Sequence, residues 1–367
     1  MSCDFRELAV SGIQGLHPYL PGKPVEELER ELGISNIVKL ASNENPRGPG
    51  ASVTRAVSAS VAGLSRYPDS NGFELKQALE NKLGVESSRI TLGNGSNDVL
   101  DLLGRTFIQP GDEVIYSEYS FVVYALVTQA LAAKAVVTPA KNWGHDLEAM
   151  AAAITDRTRM IFIANPNNPT GTWLTDSELQ DFLAKVPAHV VVVLDEAYTE
   201  YVALDDFPNG LLLQAQYPNL VVTRTFSKAY GLAALRVGFA VANEAITDLL
   251  NRIRQPFNVN TIALSAAVAA LSDQEYLERS VQLNTAGMAQ LESGLAALQL
   301  EWIPSAGNFL TVDMKQDAAE YYQALLHQGV IVRPVANYGM PNHLRISIGL
   351  PEENQRCLDA LAKVLSA

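Results

Sequence analysis

The sequence predicts an α/β fold, a mostly parallel sheet covered by helices on both faces, followed by a second, α+β unit. Two observations predict it. From about residue 50 to 255, short apolar runs alternate with helical patterns, and each run is followed by polar, Gly-rich or Asn-rich residues. After Pro256 the pattern changes to long Ala/Leu-rich helical stretches and two short strand-like runs. A chain of 367 residues with 48% apolar and 18% charged residues is ample for one large and one smaller core, and lies far from the disordered class.

The elements follow in order. Residues 1–47 read as an arm: a loop with His17, Pro18, Tyr19 and Pro21, then a short amphipathic helix with Val25, Leu28 and Leu32 that Gly33 stops. Residues 48–257 carry the strand runs at 90–92, 114–116, 160–164, 190–194, 220–223 and 237–242. Residues 258–367 form the smaller unit, with runs at 309–312 and 344–348 around a helix near 317–328. There is no internal repeat, low-complexity tract or long flexible linker.

Charge and cysteine usage exclude several classes. With 27 Lys and Arg against 40 Asp and Glu, the net charge of −13 repels nucleic acid and anionic membrane, so a phosphate ligand must be held by local cations. Cys3 and Cys357 supply neither a metal-ligand spacing nor a disulfide framework, and a reducing cytoplasm is the expected compartment. No basic stretch leads into an apolar run at the start, and no 18-residue apolar segment follows, so neither secretion nor membrane insertion is expected.

Ligands of open α/β sheets bind beyond the carboxyl ends of the strands, and four motifs fall there. The first is Thr225-Phe226-Ser227-Lys228-Ala229-Tyr230-Gly231, with Arg236 eight positions past the lysine. A lysine at a strand end in apolar surroundings can have a lowered pKa and form an imine, and two hydroxyls with an arginine suit a phosphate dianion. Taken alone, Lys228 is equally a surface lysine. The second is Asp195-Glu196-Ala197-Tyr198 after the run at 190–194. A carboxylate there can pair with a protonated pyridine nitrogen, while Tyr198 can donate to a ring hydroxylate. The same Asp195 could cap a helix or bind Mg²⁺, but no G-x-x-x-x-G-K-[ST] segment accompanies it.

The third motif, Asn165-Pro166-Asn167-Asn168-Pro169-Thr170-Gly171, is a fixed turn that could aim the Asn168 amide at a planar ligand. The fourth, Gly93-Asn94-Gly95-Ser96-Asn97-Asp98, joins a strand to a helix N-terminus suited to an anion, and lacks the third glycine of a dinucleotide fingerprint. By periodicity alone Phe121 belongs as readily to a core as to a cofactor lid, and Tyr67 before Pro68 could be a turn anchor. None of His17, His145, His189, His327 and His343 is assigned to catalysis.

Together GNGSND, NPNNPTG, DEAY, SKAYGLAALRVGF, Arg333 and LRISIG resemble, over nearly the whole chain, the fold-type I aminotransferases and among them the histidinol-phosphate aminotransferase family. The resemblance implies a mostly parallel seven-stranded sheet flanked by helices, a smaller α+β domain and an N-terminal arm. It implies pyridoxal 5′-phosphate as cofactor, no metal, and a homodimer with shared active sites. It gives Lys228 as the imine-forming lysine, Asp195 as the pyridinium partner, and Tyr198 with Asn168 as the groups facing the ring hydroxylate. Arg236, Thr225, Ser227 and the turn Gly95, Ser96 and Asn97 correspond to the phosphate cradle. Phe121 stands where the family stacks an aromatic on the ring, and Tyr67 where a tyrosine enters the neighbouring subunit's site.

For the substrate the resemblance points to Tyr19, Asn43, Tyr67, Asn168, Arg333 and Arg345, the two arginines taking a phosphate or a carboxylate in turn. The implied reaction is transamination of L-histidinol phosphate with 2-oxoglutarate to imidazole-acetol phosphate and L-glutamate, in histidine biosynthesis. An aromatic amino acid aminotransferase and a threonine-phosphate decarboxylase are the alternatives, since the bond that breaks depends on an orientation the sequence does not show.

Overall fold

A computed structural model of the chain describes residues 3–18 and 21–366. Seven strands make the large sheet: Ile90–Gly93 (β1), Glu113–Ser117 (β2), Lys134–Thr138 (β3), Thr158–Ala164 (β4), Val191–Asp195 (β5), Leu220–Thr225 (β6) and Gly238–Val241 (β7). Their order is β1-β7-β6-β5-β4-β2-β3, parallel throughout except that β7 runs antiparallel to both β1 and β6. The sheet is the mostly parallel seven-stranded one that the resemblance implies.

Strand periodicity explains how both faces are covered. Val191 and Val193 enter one apolar cluster, with helices Ser96–Phe107, Val122–Ala130 and Glu244–Ile253. Their neighbours Val192 and Leu194 enter the other, with Leu147–Ala152, Asp176–Leu183 and Gly210–Gln216. A strand buried on both sides reads as a continuous apolar run, which is why the central strands are visible in sequence. Strand β3 was not: it is an edge strand whose Lys134, Ala135 and Val137 are exposed.

Beyond Pro256, helix Thr261–Ser272 packs on helices Ala51–Ser60 and Phe73–Leu83 beside the large sheet. A second sheet follows, from Glu301–Ile303 (β8), Phe309–Asp313 (β9), Arg333–Pro334 (β10) and His343–Ser347 (β11), antiparallel in the order β8-β9-β11-β10. Helix Ala318–His327, capped by the Asp317 side chain, lies where the sequence predicts one. The arm is stitched to this part of the chain. Val38–Lys39 pairs in parallel with Val330–Ile331, and Leu28 of helix Val25–Leu32 is buried with Leu326 and Ile331.

No helix among the described residues is long and apolar enough to cross a membrane. Among them, too, no cluster of three or more His, Cys, Asp or Glu is placed to hold a metal ion. Cys3 and Cys357 are both free thiols.

Candidate active site

The carboxyl ends of β1, β4, β5 and β6 open on one cavity of about 530 Å³, part of it continuous with solvent. Its walls are Ser96, Asn97, Phe121, Asn168, Asp195, Tyr198, Thr225, Ser227, Lys228 and Arg236, with Ala164, Pro166 and Ala197 between them. Residues scattered over 141 positions of sequence thus converge because parallel strands end at one edge.

One end of the cavity is built for an anion. Helix Ser96–Phe107 begins there, with its first backbone N–H groups free of helical partners. Arg236 Nη1 donates to Ser227 Oγ at 3.3 Å and to the Ala233 carbonyl at 3.1 Å, while Thr225 Oγ1 accepts from the Ser227 backbone N–H at 3.1 Å. Two glycines make the approach possible. At Gly95, with φ of 84°, an added Cβ would stand 2.4 Å from Arg236 Nη2, so the guanidinium lies against bare backbone. At Gly238 it would stand 2.5 Å from the Ser96 nitrogen, so β7 and the helix start touch main chain to main chain. Gly238 was missed in sequence, although its place two residues past Arg236 at the head of a strand is the available signal.

At the other end sits a buried carboxylate. Asp195 is 5% exposed, and burial pushes its pKa up to about 6 against hydrogen bonds that pull it down. Thr223 Oγ1 donates to Oδ1 and the Tyr124 hydroxyl to Oδ2, each at 3.0 Å. Neither donor was singled out in sequence. Tyr124 lies inside an apolar helical run, and Thr223 inside a strand, where only the register Asp195↔Thr223 shows the pairing.

Between the two ends lies Lys228. Its Nζ donates to the Ser42 carbonyl at 3.0 Å and stands 5.7 Å from the centre of the Tyr198 ring. Burial lowers its pKa to about 7, helped by the Arg345 and Arg236 cations and opposed by Glu44 and Asp195. Such an amine is largely unprotonated just above neutrality and is nucleophilic. Tyr198 is pushed up to about 12 by burial, with Arg345 and the Asn43 hydrogen bond opposing, so its phenol keeps its proton.

Asn43 is held inside this network. Its Nδ2 donates to the Tyr198 oxygen at 3.0 Å, and its Oδ1 accepts from Ser347 Oγ at 3.0 Å. Arg345 Nη1 donates to Asn168 Oδ1 at 2.5 Å and Nη2 to the Ala41 carbonyl at 2.9 Å, while its guanidinium lies 5.4 Å from the Phe309 ring centre. Arg333 stands directly opposite Arg345 on the paired strands β10 and β11, and both are more than nine-tenths buried. Phe121 meets Tyr124 edge-on at 5.8 Å. Tyr67 is 82% exposed, stacked at 4.6 Å on Phe257, and does not line the cavity of its own chain. Tyr19 lies outside the described residues.

An anion cradle, a nucleophilic amine and a buried carboxylate at the far end fit a phosphorylated pyridine aldehyde in size, charge and polarity. The fold and this constellation define an aminotransferase, and the aminotransferase class I and II family matches residues 35–361. The chain is 61% identical to histidinol-phosphate aminotransferase 2 of Pseudomonas fluorescens across 100% of both chains. It is 60% identical to the protein of the same name from Pseudomonas aeruginosa, over 99% of each. The crystal structure of histidinol-phosphate aminotransferase from Sinorhizobium meliloti in complex with pyridoxal-5′-phosphate matches with a TM-score of 0.89 at 30% identity, covering 97% of this chain and 96% of that one. The chain belongs to the histidinol-phosphate aminotransferase family of class I and II aminotransferases.

Proposed function

We propose that the chain transfers the amino group of L-histidinol phosphate to 2-oxoglutarate, giving imidazole-acetol phosphate and L-glutamate in histidine biosynthesis, with pyridoxal 5′-phosphate as cofactor. The observation that carries the substrate is Arg345, which stands opposite Arg333 in the strand register, is buried, and reaches the cavity wall by donating to Asn168. Like charges in a dry site favour an anion between them, and a planar fork accepts a phosphate and a carboxylate equally. One anion site therefore serves both half-reactions. Identities near 60% to relatives named for this activity support the same reading.

When bound, pyridoxal phosphate supplies an electron sink for the carbanion formed at the substrate carbon. The rest of the work belongs to the chain. Arg236, Ser227, Thr225 and the Gly95–Asn97 turn hold the phosphate, Phe121 covers one ring face, and Asp195 holds the proton on the ring nitrogen. Lys228 would hold the cofactor through Nζ, and the same amine would carry the proton to and from the substrate carbon. Tyr198, kept protonated, and Asn168 face the ring oxygen. Arg345, with Arg333 and Tyr19, receives the substrate's acidic tail.

The holoenzyme supplied with 2-oxoglutarate is expected to make glutamate rapidly from histidinol phosphate, slowly from phenylalanine, and to release no CO₂ from threonine phosphate. Preference for phenylalanine, or CO₂ from threonine phosphate, would transfer the assignment to an aromatic aminotransferase or a decarboxylase.

The working unit in this reading is a cytoplasmic homodimer with shared sites, supported by the exposed Tyr67–Phe257 pair and neighbouring Leu64 and Phe73. Tyr67 then completes the partner's cavity. Mixing Tyr67→Ala with Lys228→Ala subunits should restore one intact site per hybrid, about a quarter of wild-type activity at statistical exchange. Activity no higher than the mean of the two parents would remove Tyr67 from that role.

A further inference from the structure

Helix Val122–Ala130 presents two aromatic rings to the cavity region from its first turn. Phe121, its N-cap, lines the cavity, and Tyr124, three residues on and fully buried, stacks face to face on Phe162 at 4.6 Å and 1°. The Tyr124 hydroxyl leaves this sandwich to donate to Asp195 Oδ2 at 3.0 Å. From the other side Thr223, also fully buried and in register with Asp195, donates to Oδ1 at 3.0 Å.

The geometry points to Tyr124 as a positioning residue: its phenol, with Thr223 opposite, keeps the Asp195 carboxylate ionised and in one rotamer for the cofactor's ring nitrogen. This rests on the proposed cofactor reading. The physical reasons are separable. A carboxylate has about four lone-pair sites, and one neutral donor on each oxygen fixes rotation about the Cβ–Cγ bond while leaving sites open toward the cavity. Donors to the charged form favour that form, opposing the burial that drives Asp195 toward protonation. Tyr124 itself is held neutral, since burial and the adjacent Asp195 charge push its pKa well up. The other charged or titratable groups acting on Asp195 are Glu196, the next residue in the chain, which raises its pKa, and Lys228 beyond β6, which lowers it; Tyr198 also faces it. None of them grips the carboxylate as the two hydroxyls do.

The test is cofactor affinity of the cofactor-free protein between pH 5 and 8, titrated with pyridoxal phosphate, for Tyr124→Phe, Thr223→Val and Thr223→Ser. Phenylalanine keeps the stack on Phe162 and removes only the hydroxyl. Tyr124→Phe and Thr223→Val should each weaken binding about twofold at pH 7 and about tenfold at pH 5, moving the pH midpoint of binding up by about one unit. Thr223→Ser, which keeps the hydroxyl, should restore both. Weaker binding with an unmoved midpoint would make Tyr124 a packing residue and overturn the inference. If Tyr124→Phe does not fold, the threonine pair decides by the same shift. Failure of the cofactor reading looks different: wild type would bind no pyridoxal phosphate, or Asp195→Asn would bind it with wild-type affinity and pH dependence.

Discussion

Replacing Lys228 with alanine lowers turnover by at least about 10⁴-fold and removes the absorbance band of the lysine-bound cofactor. The size follows from two losses at one atom, the covalent hold on the cofactor and the proton carrier at the substrate carbon. No neighbour can substitute. The nearest groups are a backbone carbonyl, Ser42, and a phenol, Tyr198, whose proton is held to about pH 12. The wild-type lysine carries a second signature. Only its neutral form attacks an aldehyde, so capture of pyridoxal phosphate by the cofactor-free protein should accelerate as pH rises through about 7. A Lys228→Ala protein with wild-type rates, or capture that is flat across that range, would contradict the assignment.

Asp195→Asn should lower kcat on the order of 10³-fold, because an amide of the same shape has no charge to hold the ring nitrogen's proton in a site where water is excluded. Stability should move the other way. The folded carboxyl's pKa is raised from 3.8 to about 6, so its contribution to stability is fully present below about pH 4 and is lost as pH rises through 6. The loss approaches about 3 kcal/mol at pH 8, and an asparagine never incurs it. The cofactor-free variant should therefore melt higher than cofactor-free wild type at pH 8, with the gap closing toward pH 5. A lower melting temperature at pH 8 would show that the two hydroxyls stabilise the carboxylate more than burial penalises it.

What the sequence displays and what it hides divide along physical lines. Lys228, Asp195 and Asn168 are legible because each follows an apolar strand, and parallel strands must deliver their ends to one edge; Arg236 is legible from its spacing to Lys228. Strand β3 is hidden because its short run, Ala135 to Val137, continues the apolar pattern of helix Val122–Ala130 with only four residues between. Tyr124 is hidden because a phenol in a buried helix has the same pattern as any core aromatic until its hydroxyl is seen on Asp195. Gly238 reads as one more strand glycine until the Ser96 nitrogen is found where its Cβ would be. Asn43 is named by the resemblance alone. Its partners Tyr198 and Ser347 are 155 and 304 residues away, and no local spacing encodes such contacts.

The pairing of Val38–Lys39 with Val330–Ile331 sets a schedule for the newborn chain. Ser42 and Asn43, which touch Lys228 and Tyr198, follow a strand whose ladder partner lies about 290 residues downstream, a separation a ribosome covers in roughly 15–60 s. The large sheet can be complete while this flank of the cavity is still open. Cofactor capture in its final geometry therefore awaits the last tenth of synthesis, and a nascent chain released early has a sheet without a finished site.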